Sequence, residues 1–293
     1  MKKSVLITMA ITLALGGCQQ PTDVRLVPET YATDLEIVPI LKADTLIASA
    51  PVDSSAILPS EEASYFGQFV LHNVKLDAGA GRIDSFAYSR VIVADSIAKY
   101  VLYPVGFTGV DLGPVLLNGT LLVRIPHRIT VLALSVRDTA LIRGVEYAGD
   151  LTRSYQPNTQ YTWTAPLSPY GALSIGIRSP DALTVQSPVG GSTISRSQDL
   201  LVRWRGGNGN LRIIVSTFDP VSKRTVPVLE LRPRTNTGMG LIPSSMLRQF
   251  PRGPFFVFTF ILSNRQELTA VQRIAGKILI QAASVYNSYV ELR

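Results

Sequence analysis

The chain has 293 residues, of which 46% are hydrophobic, and its 28 basic and 21 acidic residues give a net charge of +7. Cys18 is the only cysteine, and the two histidines are His72 and His127. These counts exclude disulfide bonds within the chain, zinc sites built from several thiolates and zinc sites with three histidines. The apolar content is sufficient for one or two domains of ordinary size.

The N-terminus has the layout of an export signal. Lys2 and Lys3 form a positive region, residues 5–15 form an apolar run, and Gly16 and Gly17 place two small residues where a peptidase would cut. An apolar run of 11 residues is too short to span a bilayer. We therefore predict that residues 1–17 are a signal peptide.

The residues Leu15, Gly16, Gly17 and Cys18 resemble the lipobox of bacterial lipoproteins, and this resemblance covers only the first 18 residues. It implies that a type II signal peptidase cleaves before Cys18, and that Cys18 carries a diacylglyceryl group and an acylated amine, with chains such as palmitate. Two or three acyl chains would hold the protein durably in a lipid bilayer. Gln19, by analogy with enterobacterial sorting, favours the outer membrane over the inner membrane. The alternative is an ordinary secretory signal in which Cys18 carries no lipid.

Residues 18–62 follow as a predicted tether. Residues 19–62 contain five prolines and no glycine, which is typical of an extended segment, and a chain of this length would reach on the order of 40 Å. The alternative is that residues 35–41 or 45–48 add an edge strand to the first domain.

Residues 63–182 are predicted to form a β-sandwich. Short runs of Val, Ile, Leu, Tyr and Phe alternate with turn residues. The clearest hairpin joins strands over 114–117 and 120–123 through Asn118 and Gly119, which suit a type I′ turn. Further strands are expected at 68–74, 85–93, 129–136 and 140–145, and a short helix is expected at 96–103.

A Pro/Gly-rich stretch from residue 179 to residue 191 marks the predicted boundary of a second domain, residues 183–293. The segment from Ser187 to Ser192 and the strand ending at Trp204 resemble the opening of immunoglobulin-like domains of secreted microbial proteins. The resemblance implies a β-sandwich whose core contains Trp204. The fold class expected is therefore all-β, with a lipidated tether and two β-sandwich domains. Strands are predicted at 199–205, 211–217, 226–231, 255–262, 274–282 and 284–292, and a helical turn at 244–250.

Positive charge is concentrated in the last third of the chain. Residues 184–293 hold 14 basic and 5 acidic residues, and 12 of the basic residues are arginines. Because a guanidinium suits carboxylates and phosphates, Arg203 and Arg205 are candidate binding residues for an acidic envelope protein or glycan. The alternative is a solvated cationic surface. No nucleic-acid partner is expected for an exported lipoprotein.

Tyr161 and Trp163 are candidate glycan-binding residues. Alternation in the sequence Gln160–Thr164 places these two rings on one face of a strand, where exposed rings could stack on sugars. The alternative is that both rings fill the core of the first domain, because large aromatic side chains are mostly buried.

No catalytic motif is recognisable, and no metal site or cofactor is predicted. The loop from Asp77 to Asp84 does not match the spacing of a calcium loop and is predicted to be a turn between strands. A glycosidase needs only two carboxylates, and Glu146 with Asp150, or Glu230 with another acid, could be proposed. No spacing argument selects them.

Our leading hypothesis is a non-enzymatic lipoprotein, anchored in the cell envelope through Cys18, that binds or positions an envelope or extracellular partner. One alternative is a carbohydrate-active hydrolase that uses carboxylates on the loops of a sandwich. Another alternative is a spacer without a ligand.

Overall fold

The computed structural model describes residues 35–38, 65–100, 103–131, 139–219, 224–250, 255–269, 274 and 276–293. These residues form an almost entirely β structure with one short helix, and the predicted all-β class is confirmed. The helix α1 spans Ser244–Leu247. The strands are β1 Leu35–Val38, β2 Gly67–Gly79, β3 Arg82–Tyr100, β4 Tyr103–Gly109, β5 Leu116–Leu117, β6 Thr120–Leu121, β7 Val123–Val131, β8 Thr139–Asp150, β9 Gln160–Ala165, β10 Leu173–Arg178, β11 Thr184–Ser187, β12 Thr193–Ile194, β13 Leu200–Arg205, β14 Asn210–Asp219, β15 Arg224–Pro233, β16 Met239–Ile242, β17 Phe255–Leu268 and β18 Ile278–Leu292.

The strands form one large sheet and two small ones. The large sheet has the order β1-β15-β14-β17-β18-β2-β3-β4-β8-β7, with β12 paired to β18. The small sheets have the orders β10-β9-β5-β6 and β11-β13-β16. Most neighbours are antiparallel, whereas β18 pairs in parallel with both β2 and β12, and β4 pairs in parallel with β8.

Two hydrophobic cores lie on the same face of the large sheet. One core joins that face to the four-stranded sheet and includes Phe69, Leu71 and Trp163. The other core joins it to the three-stranded sheet and includes Trp204 and Phe260. Alternation explains this arrangement, because every second side chain of a strand points to the same face and can pack against a facing sheet.

Strand β18 contributes to both cores. Ile278 and Ala282, near its start, belong to the first core, and Tyr286 and Val290, near its end, belong to the second. Its register with β2 runs from the pair Ile278 and Gly67 to the pair Ser288 and Asp77. The large sheet is therefore continuous across the predicted domain boundary at residue 183.

Buried polar contacts join the two halves beside this shared strand. The Asp77 carboxylate accepts hydrogen bonds from the Gly79 amide (3.1 Å), the Gly190 amide (2.9 Å) and the Tyr286 hydroxyl (2.9 Å). A side chain at Gly190 would have no room, because its Cβ would lie 2.2 Å from the Asp77 carbonyl oxygen. The Pro/Gly-rich stretch around residue 190, predicted to mark the boundary of the second domain, is thus packed against the hairpin of β2 and β3.

The local predictions have mixed outcomes. The hairpin turn is confirmed, since Asn118 and Gly119 have φ angles of 48° and 82° between β5 and β6. The helical turn at 244–250 is confirmed as α1.

The helix predicted at 96–103 is wrong, because β3 continues to Tyr100 and pairs with β4. The strands predicted at 274–282 and 284–292 are one strand, β18, whose small residues at 282–284 are buried rather than in a turn.

One segment of the predicted tether forms a strand. Leu35–Val38 pairs with β15 at the edge of the large sheet, and Leu35 packs into the second core. The alternative of an edge strand is therefore supported for this segment, although its partner strand lies in the C-terminal half. Cys18 and the rest of residues 18–62 lie outside the described residues, as does the predicted signal peptide.

Candidate functional site

Strand β13 places Arg203 and Arg205 on the exposed face of the three-stranded sheet. Val202 and Trp204, which alternate with them, are buried in the second core. The Trp204 indole N–H donates to the Asn236 side-chain oxygen at 2.7 Å, and the ring packs against Phe260 with centroids 6.4 Å apart. Because Trp204 is held inward, the two arginines on either side of it must point outward.

Apolar side chains of the neighbouring strand border these arginines. In the antiparallel register of β13 and β16, Arg203 pairs with Met239 and Leu201 pairs with Leu241. Met239 and Leu241 are 51% and 38% exposed, although both are large hydrophobic residues. We call the surface formed by Leu201, Arg203, Arg205, Met239 and Leu241 the arginine face.

The charges on the arginine face are not neutralised within the described residues. Neither Arg203 nor Arg205 forms an ion pair or a hydrogen bond there, in contrast to other arginines of the same half. Arg232, for example, donates to Glu230 at 2.9 Å, and Arg293 forms a bidentate pair with Glu291. Two adjacent exposed guanidinium groups beside apolar side chains make a surface suited to an acidic partner.

Tyr161 and Trp163 lie in the first core. They are 4% and 1% exposed, the Trp163 indole N–H donates to the Ser89 hydroxyl at 2.9 Å, and the Tyr161 ring stacks on Tyr155. Trp163 also packs edge-on against Phe69, with ring centroids 5.8 Å apart. Rings in this position fill the core, as the alternative interpretation expected, and offer no exposed platform for a sugar.

The acidic candidates for a glycosidase pair are separated and engaged elsewhere. Glu146 and Asp150 lie four residues apart on β8, roughly 13 Å along an extended strand, whereas glycosidase carboxylates lie roughly 5–10 Å apart. Glu146 accepts hydrogen bonds from Arg90 at 2.8 Å and contacts His127 at 2.9 Å. Asp150 accepts a hydrogen bond from the Thr152 amide. Glu230 is paired with Arg212 and Arg232.

Glu146 and His72, both on strands of the large sheet, have shifted pKa values. Burial acts to raise the pKa of Glu146, but the hydrogen bond from His127 and the charge of Arg90 outweigh it, so the pKa lies below its usual value. Burial, together with the charge of Arg90, lowers the pKa of His72 to about 4. His72 Nδ1 lies 2.9 Å from the Tyr88 hydroxyl. At neutral pH His72 is therefore uncharged.

No protein-family model matches this chain, and no curated protein matches it. Within the described residues, no cluster of three or more His, Cys, Asp and Glu side chains could hold a metal ion. No described helix has the length and apolar character needed to cross a membrane.

Sequence reasoning missed the cluster of Arg90, His127 and Glu146 and the contacts of Asp77 with the loop at Gly190. Their members are distant in the sequence and meet through strand pairing, so no spacing signal could have brought them together. Met239 and Leu241 were also missed as neighbours of the two arginines. The only available signal was the alternation in residues 239–242, which places these two residues on one face of a strand.

Proposed function

We propose that this protein is a non-enzymatic binding module of the cell envelope, anchored to a membrane through lipidated Cys18, whose arginine face engages an acidic protein surface. The observation that carries the proposal is the outward placement of Arg203 and Arg205 without a carboxylate partner in the described residues. The anchor rests on the resemblance of residues 15–18 to a lipobox, and Gln19 favours the outer membrane.

The proposed architecture is a lipidated tether followed by two β-sandwich units, the second immunoglobulin-like. Each core supports one unit, because each small sheet buries its inner side chains against the large sheet. The buried Trp204 supports the immunoglobulin-like interpretation of the second unit, since a tryptophan on a central strand fills the core of such domains. The shared strand β18 makes the two units parts of one sheet.

An acidic protein suits the arginine face better than an acidic glycan does. Met239 and Leu241 border the arginines, and Met and Arg are both enriched at protein interfaces. The guanidinium groups would pair with carboxylates of the partner, while the apolar side chains would lose contact with water. The expected partner therefore presents Asp or Glu side chains next to a small apolar patch.

Capture from solubilised envelope with the full-length protein in detergent tests this proposal. We compare wild type with the double variant Arg203→Gln/Arg205→Gln, and with Arg143→Gln/Arg153→Gln as a control that removes two exposed arginines elsewhere. The proposal expects one acidic protein that is retained by wild type and by the control, lost with the double variant, and released as salt is raised. Equal retention by all three proteins, or retention of glycan alone, would contradict the proposal. If no partner is recovered with the full-length protein, the alternative of a spacer without a ligand is favoured.

Fractionation of cells that express Cys18→Ala tests the anchor separately. Without the thiol no diacylglyceryl group can be attached, so the variant should keep its signal peptide and lose its labelling by radioactive palmitate. Labelled, processed protein in the variant would rule out lipidation at Cys18. Because the variant leaves the arginine face intact, this experiment can fail without affecting the binding proposal.

A further inference from the structure

Strand β16 is an edge of the three-stranded sheet. In the order β11-β13-β16 it pairs only with β13, so its other side carries no strand among the described residues. An edge strand offers backbone N–H and C=O groups to a further strand. The exposed apolar residues of the arginine face, Met239 and Leu241, both lie on β16. This edge therefore offers a partner apolar side chains and backbone groups together.

The register of β13 and β16 shows which backbone groups point outward. The Trp204 amide donates to the Gly238 carbonyl at 2.9 Å, and these two residues lie opposite each other in that register. Hydrogen-bonded and non-bonded pairs alternate in an antiparallel ladder, so Gly240 is the next residue of β16 to bond to β13. The backbone groups of Met239 and Leu241 therefore point away from β13, towards the open edge.

Most of these outward groups lack a partner in the described part of the chain. The Met239 carbonyl accepts a hydrogen bond from the Thr237 hydroxyl at 3.3 Å. The Met239 N–H and both backbone groups of Leu241 form no hydrogen bond there. A strand added along β16 would supply partners for them, as in peptide recognition by strand addition.

An added strand would also place alternate side chains on the arginine face. In antiparallel pairing, the residues opposite Leu241 and Met239 point to the same face as these two side chains. The added strand would lie about 10 Å from β13, two strand spacings away, a distance that an arginine and a glutamate side chain can span together. Arg203 lies opposite Met239, and Arg205 follows two residues later on β13. The two guanidinium groups would thus reach successive outward residues of the added strand.

We infer that the acidic partner binds as an extended segment that adds an antiparallel strand to β16, with an apolar residue facing Leu241 and acidic residues at the next two alternate positions facing Arg203 and Arg205. This inference rests on the proposed function, since it specifies how the partner engages the arginine face. A second copy of this chain is disfavoured as the occupant, because pairing two β16 strands would bring two positively charged faces together.

Titration of the full-length protein in detergent with a synthetic peptide tests this inference. The peptide is a capped threonine heptamer with leucine at its second position and glutamate at its fourth and sixth positions. Wild type should bind it, and so should the exposed control Arg143→Gln/Arg153→Gln. Arg203→Gln/Arg205→Gln should bind it about tenfold more weakly, because both charged pairs are lost.

Backbone methylation of the peptide distinguishes strand addition from attraction between charges. The amides of the leucine and of the first glutamate would point towards β16, so N-methylation of both should weaken binding about tenfold. N-methylation of the threonines at the third and fifth positions blocks amides that would point away from β16 and should leave binding nearly unchanged.

Two variants of Leu241 make the same test on the protein. Leu241→Pro removes the outward N–H together with the leucine side chain, whereas Leu241→Ala keeps the N–H. Proline is tolerated in an edge strand where the N–H faces solvent, so both variants should fold, which urea unfolding would verify. The proline variant should bind the unmodified peptide about tenfold more weakly than the alanine variant.

Three outcomes would overturn strand addition: equal binding of the two methylated peptides, equal binding by the two Leu241 variants, or no binding by wild type at millimolar peptide. Each would leave the proposed function standing if retention in the capture experiment still requires Arg203 and Arg205. Capture that does not require these arginines would overturn the proposed function and this inference with it.

Discussion

Strands β9 and β13 pack in the same way but present different outer surfaces. Each buries a tryptophan under a small sheet, and each indole N–H has a side-chain acceptor, Ser89 for Trp163 and Asn236 for Trp204. On its other face β9 carries threonines, which are partly covered by neighbouring strands, whereas β13 carries Arg203 and Arg205, which are exposed.

The comparison shows what alternation in a strand does and does not reveal. An aromatic residue that alternates with polar ones is the inward residue in both strands, because its large apolar area gains most from burial. The polar residues between the rings then decide whether the outer face can bind a partner. The rings of β9 were predicted as ligand contacts but are buried, whereas the outward residues of β13 are exposed and make the better candidate surface.

Replacing the two buried tryptophans should give the largest effects and would test the similarity of the two cores. Trp163→Ala and Trp204→Ala should each lower the free energy of unfolding by about 3–5 kcal/mol, measured by urea unfolding of the full-length protein. The exposed Leu167→Ala is the control and should change it by less than about 0.5 kcal/mol. A change for either tryptophan as small as that of the control would contradict its burial.

The same unfolding curves would also show whether the two cores unfold together or separately. Since β18 contributes side chains to both cores, we expect a single transition that shifts in both tryptophan variants. If each variant instead shifted one of two separate transitions, the cores would be independent despite the shared sheet.

Removing the Asp77 carboxylate, which contacts both halves of the chain, should have the next largest effect on the free energy of unfolding. Asp77→Ala leaves the Tyr286 hydroxyl and the Gly190 amide without their buried acceptor, so the free energy of unfolding should fall by about 2–4 kcal/mol. Asp84→Ala is the matched control, because Asp84 forms an exposed pair with Arg82, worth less than about 1 kcal/mol. Equal effects of the two substitutions would show that the contacts of Asp77 do not couple the halves.

The pH dependence of stability should reveal His72 in the first half. Its folded pKa of about 4 lies below the unfolded value of 6.5, so between these values the unfolded state binds more protons. Stability is therefore greatest above pH 6.5 and falls as the pH drops towards 4, by about 3 kcal/mol in all. Urea unfolding across this range measures the loss.

The substitution His72→Gln should remove this pH dependence, because glutamine does not titrate. His127→Gln serves as the control and should retain the loss of stability between pH 6.5 and 4. Glu146, whose pKa is lowered, contributes stability that is lost only as the pH falls below the usual carboxylate range. The same slope in wild type and in His72→Gln would rule out His72 as its source.

The smallest effect on stability is expected at the arginine face. Arg203→Gln and Arg205→Gln should each change the free energy of unfolding by less than about 0.5 kcal/mol, because neither side chain has a partner in the described part of the chain. Retention of the acidic partner should nevertheless fall in the capture experiment. A large loss of stability in either variant would show that the arginine supports the fold rather than presenting a binding surface.

Much of the local structure was predictable from short patterns. Asn118 and Gly119 predicted their turn correctly because the positive φ angles it needs are a property of these two residues themselves. The helix expected at 96–103 failed because weak local propensity in this segment yields to pairing with β4. The single strand β18 was missed because alanine and serine inside a buried strand resemble the residues of a turn.

The candidate site was predictable only in part. The positions of Arg203 and Arg205 on one face of a strand follow from their spacing, and the structure shows that face to be exposed. The position of Met239 beside Arg203 could not be predicted, because it depends on the pairing of β13 with β16.

The sequence alone determined the β class, the main hairpin and the alternation that sends Trp204 inward and its neighbouring arginines outward. These features depend on backbone preferences and on a repeat of two residues, both of which act over a few positions. The tertiary structure decided that β18 pairs with β2, that Tyr161 and Trp163 are covered, and which arginines meet a carboxylate. Alternation distinguishes the two faces of a strand, but only the packing of distant strands determines what lies opposite each face.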